Sequence, residues 1–466
     1  MPIRFSRREV LPLLATGLAA PAFGWLRVAG AAAPRTDRVV VLGAGIAGLA
    51  AARTLVQRYG FRAPGQVIVL EARNRLGGRI DTETALGPPV EMGATWIHGV
   101  RGNPIAALAA ELGIVTEPTN YENVRLYDHA GALVAPATYN HLYDDVFVPG
   151  LAAAVRYGTH QDTDPSLQAS FDAVRVGQGL SAADARVLDF HEWWNIEADV
   201  TLRLDQLSTY WWDADLAFSG NDALFPGGYR QVVDGVAAGL DVRTDQVVEA
   251  VDWSGPTITV QTNHGVFACE RLVVTLPLGV LKAGSVAFAP ALPSAIQGPV
   301  ERLGFGKVHK IVLRFPTPFW DTSADFLLSI GPGRIENVEL LNVARYRSEA
   351  VLSCWTVAEF AAALENLSPA AATAQMMTRL RTIFGNAIPD PIGVARSGWI
   401  DSPYTGGAYT YWAPGSSPAD QRALQRDVGG RLFFAGEHTS RKYPQTVHGA
   451  WLSGLAAAKG VRRRAA

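Results

Sequence analysis

Apolar runs without polar alternation predict strands that are buried on both faces. Residues 39–42 and 67–70 form two such runs near the start of the chain. Residues 49–58, between them, are rich in Ala and Leu and predict a helix. The order of strand, helix and strand predicts a parallel βαβ unit.

The turn between the first strand and the helix has the spacing G-x-G-x-x-G. Gly43 permits the tight turn, Gly45 lets a pyrophosphate approach the backbone, and Gly48 lets the helix lie close to the sheet. Ala47 belongs to the same helix N-terminus, which favours a bound anion. Glu71 follows the second strand, where a carboxylate can accept the ribose hydroxyls. These residues predict a dinucleotide site.

Composition narrows the classes of protein that fit this chain. Its 466 residues are 48% apolar and 18% charged, which is typical of a globular protein with room for two domains. The net charge of −2 argues against a nucleic-acid binder, and beyond the N-terminus no apolar run suits a membrane span. No Cys/His spacing suggests a metal site. Cys269 and Cys354 lie in apolar runs that favour unpaired buried thiols, although pairing in an oxidising compartment stays open.

Negative charge is concentrated in one part of the chain. Residues 117–222 hold seventeen Asp or Glu against five Arg and no Lys, a formal −12. Ordinary solvation does not explain this segregation of sign, so a pocket built from the segment should attract cations. Aromatic residues in the same segment offer faces to an ammonium group, with helical core packing as the alternative.

A second Gly/Arg cluster after Glu71 indicates which dinucleotide binds. Glu71-Ala72-Arg73 and Leu76-Gly77-Gly78-Arg79 resemble the FAD signature of the flavin amine oxidase family, which includes polyamine oxidases, monoamine oxidases and lysine-specific histone demethylases. The resemblance extends over about residues 38–458. It implies that Arg73 and Arg79 help to bind FAD.

Further motifs with the same resemblance imply a larger set of FAD contacts. That set comprises Gly93, Ala94, Thr95, Trp96, Val248, Trp399, Glu437, Thr446 and Val447. Ala408 stands where monoamine oxidases carry the cysteine that bonds the flavin. The resemblance therefore implies that FAD is bound non-covalently.

The resemblance also implies catalytic roles for three residues near the flavin. Lys310, in an otherwise apolar strand, corresponds to a lysine that contacts flavin N5 through a water, with Lys307 as the alternative in register. Trp96-Ile97-His98-Gly99 is similar to the polyamine oxidase branch, in which the histidine faces the substrate amines; a structural histidine is the alternative. Tyr409 matches an aromatic residue beside the substrate.

Two further residues bear on the choice of substrate. Glu197 is the candidate anchor for a substrate ammonium, with a surface carboxylate as the alternative. Thr446 occupies the position of a second cage tyrosine in monoamine oxidases, which favours the polyamine oxidase side.

The predicted fold is an α/β FAD-binding domain, Rossmann-like (ββα) and doubly wound, beside an α+β substrate-binding domain. The FAD-binding domain would comprise residues 37–100, 225–290 and 396–460. The substrate-binding domain would comprise residues 101–224 and 291–395.

The N-terminus predicts export. Arg7 and Arg8 precede a weakly apolar stretch and small residues, which together suggest a twin-arginine signal peptide over residues 1–33, cleaved after Ala31. A disordered basic leader is the alternative. The twin-arginine export machinery is then a partner, and a bacterial protein with this signal is periplasmic or secreted.

The implied reaction is oxidation of a C–H bond next to an amine nitrogen. Hydride passes to flavin N5 and the imine is then hydrolysed, with a polyamine of the spermidine or spermine class as the predicted substrate. Alternatives are a flavin oxidase or dehydrogenase of another amine (monoamine, amino acid or heterocyclic catabolite), or a non-catalytic flavin-fold protein that binds polyamines. The electron acceptor would be oxygen or a periplasmic electron carrier.

Overall fold

The computed structural model describes residues 36–465. The signal peptide predicted for residues 1–33 lies outside this range. The predicted strand, helix and strand are present as Val39–Leu42, Ile46–Tyr59 and Val67–Leu70. The helix begins three residues before the predicted start because Gly45 is its N-cap, so the phosphate turn leads directly into the first helical turn.

A five-stranded sheet within the described residues, called here the parallel sheet, is built around these two strands. All of its pairings are parallel. In spatial order its strands are Leu432–Phe434, Arg271–Val274, Val39–Leu42, Val67–Leu70 and Asp241–Arg243.

The two faces of the parallel sheet have different coverings. Side chains of one face pack against the helices Ile46–Tyr59, Arg230–Ala237 and Val447–Arg464. The other face packs on a small sheet and on the helix Ser294–Arg302. The strands of the small sheet are Gly265–Cys269, Ile258–Thr262, Val248–Asp252 and Ala287–Ala289. The α/β class is as predicted, but the doubly wound description needs correction because β-structure covers much of the second face.

A second large sheet, called here the mixed sheet, lies in the remaining part of the chain. Its pairings are antiparallel except for the last one. In spatial order its strands are Gly393–Arg396, Val308–Arg314, Val351–Val357, Val338–Asn342, Phe326–Ser329 and Val124–Tyr127. Apart from Arg396, these strands come from the segments predicted to bind substrate. The domain boundaries themselves stay a prediction.

Short strands and helices complete the described chain. The short strands are Thr82–Glu83, Val90–Glu91, Trp96–Ile97, Glu117–Pro118, Ala223–Leu224, Gly304–Phe305 and Thr410–Tyr411. The other α-helices are Pro104–Glu111, Pro136–His141, Val148–Thr159, Leu167–Val174, Ala182–Glu192, Ala198–Val200, Leu278–Ala283, Ala358–Glu365, Pro369–Phe384 and Pro418–Leu424. Two π-helical turns, Leu142–Phe147 and Trp193–Glu197, interrupt the helical region, and 3₁₀ turns occur at Leu204–Gln206, Val343–Arg345 and Glu437–Thr439.

The two thiols are separate. Cys269 lies in the small sheet and Cys354 in the mixed sheet, and both are free and buried. Burial raises the pKa of each thiol to about 12. Among residues 36–465, none of the helices combines the length and apolar character that a membrane span requires.

The geometry of the phosphate turn predicts that alanine lowers the stability of the protein at one glycine and not at another. A Cβ at Gly48 would lie 2.0 Å from the carbonyl oxygen of Gly43, whereas a Cβ at Gly45 would meet no atom within 4 Å. We expect Gly48→Ala to lower the free energy of unfolding by about 1–3 kcal/mol through overpacking. Chemical denaturation of the flavin-free protein measures this free energy of unfolding, and Gly45→Ala is the matched control. Equal stability of the two variants would contradict this account.

Candidate active site

One open cavity brings together most of the predicted site residues. It lies at the carboxyl ends of the parallel strands, where ligands of open α/β sheets bind, and contains ≈ 2340 Å³ of empty space counting its mouth. The predicted residues that line it are Gly43, Gly45, Ala47, Glu71, Arg73, Arg79, Gly93, Ala94, Thr95, Trp96, His98, Val248, Trp399, Tyr409, Glu437, Thr446 and Val447. Gly48, Lys310 and Glu197 do not line it.

The dinucleotide end of the cavity has the features that a pyrophosphate requires. Gly43 has φ +99°, which favours glycine, and Gly45 faces open space where a side chain would intrude. The carboxylate of Glu71 accepts hydrogen bonds from the backbone N–H of Ala44 at 2.9 Å and of Arg73 at 3.0 Å. Glu71 therefore ties the turn to the segment that follows the second strand, and its side chain still lines the cavity.

Arg79 and Glu437 join distant segments on the cavity wall. Arg79 Nη1 donates to a carboxylate oxygen of Glu437 at 2.9 Å and to the carbonyl of Ala408 at 2.5 Å. The other oxygen of Glu437 accepts from the backbone N–H of Gln445 at 3.0 Å. This pairing leaves a compensated charge beside the place predicted for the cofactor.

The loop of residues 91–95 presents its backbone to the cavity. A Cβ at Gly93 would lie 1.8 Å from the carbonyl oxygen of Arg79, so the close contact requires glycine. The N–H of Ala94 donates to the same carbonyl at 3.0 Å. Trp399 Nε1 donates to the carbonyl of Met92 at 2.9 Å. These hydrogen bonds join the loop to the segments that contain Arg79 and Trp399.

Lys310 supports this loop from behind. Its Nζ donates to the carbonyls of Glu91 at 3.0 Å and Gly93 at 2.7 Å and to Thr95 Oγ1 at 2.6 Å, which accounts for the three protons of an ammonium. Burial lowers the pKa of Lys310, and the negative charge of Glu91 opposes that shift. Lys310 therefore positions the cavity-facing loop, and the water-mediated contact to flavin N5 that the family resemblance implies stays a prediction.

The mixed sheet aligns Lys310 with a carboxylate that the sequence interpretation missed. Lys310 lies opposite Trp355, and Trp355 lies opposite Glu339, so the three side chains project from the same face of the sheet. Glu339 is 2% exposed, accepts a hydrogen bond from Trp194 Nε1 at 3.0 Å and lines the cavity. Glu339 is the one charged residue in its otherwise largely apolar strand Val338–Asn342, and this pattern is a sequence signal for a buried charge.

Carboxylates dominate one part of the cavity. We call the lining residues from segments 101–224 and 291–395 the substrate-side walls. They are Tyr121, Ala198, Asp199, Asp222, Val308, Glu339 and Trp355. None of these described residues is a Lys or Arg, whereas Arg73 and Arg79 lie among the predicted cofactor residues. The carboxylates Asp199, Asp222 and Glu339 therefore favour a positively charged ligand here.

His98 and Tyr409 lie in the cavity with fixed partners. His98 Nδ1 lies 2.7 Å from a carboxylate oxygen of Asp222. The hydroxyl of Tyr409 donates to the backbone carbonyl of Asp199 at 2.8 Å. Asp199 and Asp222 both belong to the acidic segment but were not singled out, because sequence alone does not tell which of its seventeen acids face inward.

Glu197 does not occupy the predicted position. Its carboxylate is buried, accepts a hydrogen bond from the N–H of Leu204 at 3.0 Å and lies 3.9 Å from Arg334 Nη2. The π-helical turn Trp193–Glu197 directs it to this internal role. Both earlier descriptions of Glu197, an ammonium anchor and a surface carboxylate, are corrected.

Thr446 has a structural function within the cavity wall. Its hydroxyl donates to the carbonyl of Tyr443 at 2.9 Å and accepts from the N–H of Gly449 at 3.0 Å, which makes it the N-cap of the helix Val447–Arg464. This helix N-terminus borders the cavity through Val447 and Ala450. Thr446 therefore caps this helix while it lines the cavity, and its predicted roles beside flavin and substrate stay predictions.

Together the parallel sheet, the open glycine turn and the ribose-side carboxylate define a dinucleotide-binding flavoprotein of the α/β class. The sequence pattern of the family described as flavin containing amine oxidoreductase matches residues 46–462. The chain belongs to this family, whose cofactor is FAD. Ala408 lines the cavity where covalent attachment would need a thiol, and neither cysteine lines it, so FAD is held non-covalently.

Polyamine oxidases and lysine-specific histone demethylase homologues are among the proteins similar to this chain. Polyamine oxidase 2 of Arabidopsis thaliana is 32% identical over 445 residues, covering 92% of this chain and 89% of that protein, and polyamine oxidase 4 of Oryza sativa subsp. japonica is 33% identical, covering 91% and 88%. Lysine-specific histone demethylase 1 homolog 1 of Arabidopsis thaliana is 33% identical over 448 residues. This chain spans about half the length of that demethylase homologue, 52%, while 91% of the chain is covered.

We expect Lys310→Met to slow flavin reduction, reoxidation or both by at least about tenfold, roughly 1.4 kcal/mol of barrier. The physical reason is that loop 91–95 loses three hydrogen bonds from one ammonium. Anaerobic stopped-flow absorbance, followed by mixing with the acceptor, measures both steps.

The matched control is Lys307→Met, because Lys307 is exposed and does not line the cavity. It should leave both rates near those of the parent protein. A crippled Lys307→Met variant beside an unaffected Lys310→Met variant would show that the family lysine is Lys307.

Proposed function

We propose that the protein oxidises a polyamine of the spermidine or spermine class. The observation that supports this substrate is the set of three carboxylates on substrate-side walls without Lys or Arg. Aromatic side chains at Trp96, Tyr121 and Trp355 provide apolar contact for the methylene segments between the nitrogens of such a ligand. Likeness to two polyamine oxidases over most of their length supports the same choice.

The proposed chemistry divides between cofactor and protein. The glycine turn, Glu71, Arg73 and Arg79 would hold FAD, which would supply a hydride acceptor for oxidation of the carbon next to the amine nitrogen; water would then hydrolyse the imine product. The chain binds the amine, excludes bulk water around it and receives the proton of the reacting nitrogen. Glu339, buried in the wall, would hold a distal ammonium.

We expect spermidine and spermine to be oxidised in preference to benzylamine and amino acids. Steering by the acidic walls weakens as salt shortens the Debye length, so kcat/KM should fall with ionic strength. It should rise with pH because the reacting amine must lose its proton. Steady-state assays with each amine across salt and pH test this, and a preference for neutral aromatic amines would contradict the polyamine proposal while leaving the family assignment intact.

Glu339→Gln tests the proposed distal anchor. Loss of one buried carboxylate should raise KM for spermidine about tenfold or more, with much less effect on a monoamine that has no distal charge. Glu197→Gln is the matched control, since its amide oxygen can still accept from Leu204 and the residue lies outside the cavity. If Glu339→Gln changed both substrates equally, Glu339 would not be the distal anchor.

We also propose twin-arginine export to the periplasm, on the strength of Arg7 and Arg8 before the apolar stretch. The electron acceptor that reoxidises the reduced flavin would be either oxygen or a periplasmic electron carrier. Replacing both arginines by lysine should leave active, flavin-loaded protein in the cytoplasm. Cell fractionation measures this, and unchanged periplasmic activity would contradict the export proposal.

A further inference from the structure

A partly buried carboxylate holds the imidazole of His98 at the cavity wall. His98 Nδ1 and Asp222 Oδ2 are 2.7 Å apart, and their side chains are 25% and 14% exposed. The other oxygen, Oδ1, accepts from the backbone N–H of Gly99 at 2.7 Å, and the hydroxyl of Tyr121 donates to Oδ2 at 3.3 Å. The N–H of Gly99 and the hydroxyl of Tyr121 donate to Asp222 independently of His98, so its side chain is a carboxylate acceptor in a fixed position.

The backbone around this pair is also fixed. The carbonyl of Asp222 accepts from the N–H of Thr119 at 2.9 Å and from its hydroxyl at 3.2 Å. The carbonyl of His98 accepts from Asn103 Nδ2 at 3.0 Å. These bonds fix the backbone from which the two side chains project.

This arrangement selects one tautomer of the neutral imidazole. An ionised carboxylate offers only lone pairs, so the ring proton of His98 must lie on Nδ1. Nε2 then carries the lone pair. Within the described residues no protein group is hydrogen-bonded to Nε2, and His98 lines the cavity.

The other polar groups near the substrate-side walls do not offer an equivalent acceptor. Lys310 donates all three protons, and the hydroxyl of Tyr409 donates to a carbonyl. Asp199 and Glu339 line the cavity as negative charges that attract a cation. Imidazole is the side chain whose ordinary titration lies close to neutral pH.

We propose that Asp222 is a positioning residue that holds His98 in the Nδ1–H tautomer, so that Nε2 receives the proton of the substrate ammonium. This inference rests on the proposed amine substrate. The N–H bond of the ammonium breaks, its electron pair stays on the amine nitrogen, and a new N–H bond forms at His98 Nε2. The resulting imidazolium is stabilised by Asp222, in the way that a buried carboxylate orients and stabilises a catalytic histidine. The proton leaves to solvent after turnover.

Asp222→Asn tests this assignment directly. The side-chain oxygen of Asn can still accept from Gly99, while its NH₂ group would donate to His98 Nδ1 and force the proton onto Nε2. We expect the rate of flavin reduction by spermidine near pH 7 to fall on the order of a hundredfold. The loss should shrink as pH rises, because free amine then enters already deprotonated.

The position of the ring proton on His98 can be measured directly, and a purely structural role of Asp222 would not change it. Two-dimensional ¹⁵N-histidine NMR of the holoprotein, assigned with His98→Gln, should show Nδ1–H at neutral pH in the parent and Nε2–H in Asp222→Asn. Thr119→Val is the matched control, because it removes a hydrogen bond to the backbone of Asp222 without changing the carboxylate. It should keep the parent tautomer.

An Nε2–H tautomer in the parent protein would overturn the proposal, even if Asp222→Asn did not fold. So would an Asp222→Asn variant with parent rates and an unchanged pH profile. If no amine reduced the flavin of the parent while the Nδ1–H tautomer was observed, the proposed function would fail and the positioning by Asp222 would stand.

Discussion

The buried ammonium of Lys310 is the interaction on which the arrangement of this cavity depends. Lys310 lies in the mixed sheet, and its Nζ donates three hydrogen bonds to residues 91–95, which lie between the short strands Val90–Glu91 and Trp96–Ile97. A buried cation without these acceptors would cost several kcal/mol, so the sheet and the loop keep a fixed relative position. The backbone of Gly93 and the side chains of Trp96 and His98 can then face a cavity of defined shape.

The same sheet distributes charge along the cavity. Lys310 faces the loop, and two strands away Glu339 lines the wall, with Trp355 between them. Arg73 and Arg79 lie with the glycine turn and Glu437 on the side suited to an anionic dinucleotide. Asp199, Asp222 and Glu339 lie on the walls suited to a cation. The positive and negative residues are separated because different parts of the fold form the two ends of the cavity. The parallel sheet forms the dinucleotide end, and the acidic segment and the mixed sheet form the substrate-side walls.

Local patterns predicted the parts of the fold that local chemistry determines. The glycine turn, the helix after it and Glu71 follow from spacing alone, and nearly every predicted cofactor residue lines the cavity. The prediction for Glu197 was wrong because tertiary packing decides the direction of its side chain: Glu197 ends a π-helical turn, and its carboxylate accepts an internal hydrogen bond from Leu204. Strand register decides that Asp222 lies beside His98 and that Glu339 lies beside Trp355 on the cavity wall. No spacing rule along the chain contains that information.

The central claim is that one cavity holds a flavin and an oxidisable polyammonium ligand together. Anaerobic titration of the purified holoprotein with spermidine tests it most directly, with flavin absorbance and equilibrium binding recorded on the same sample. The account predicts that the oxidised flavin spectrum bleaches in proportion to added spermidine until it is fully reduced. Stoichiometric binding without bleaching would contradict it and identify a polyamine-binding flavoprotein without this oxidase activity.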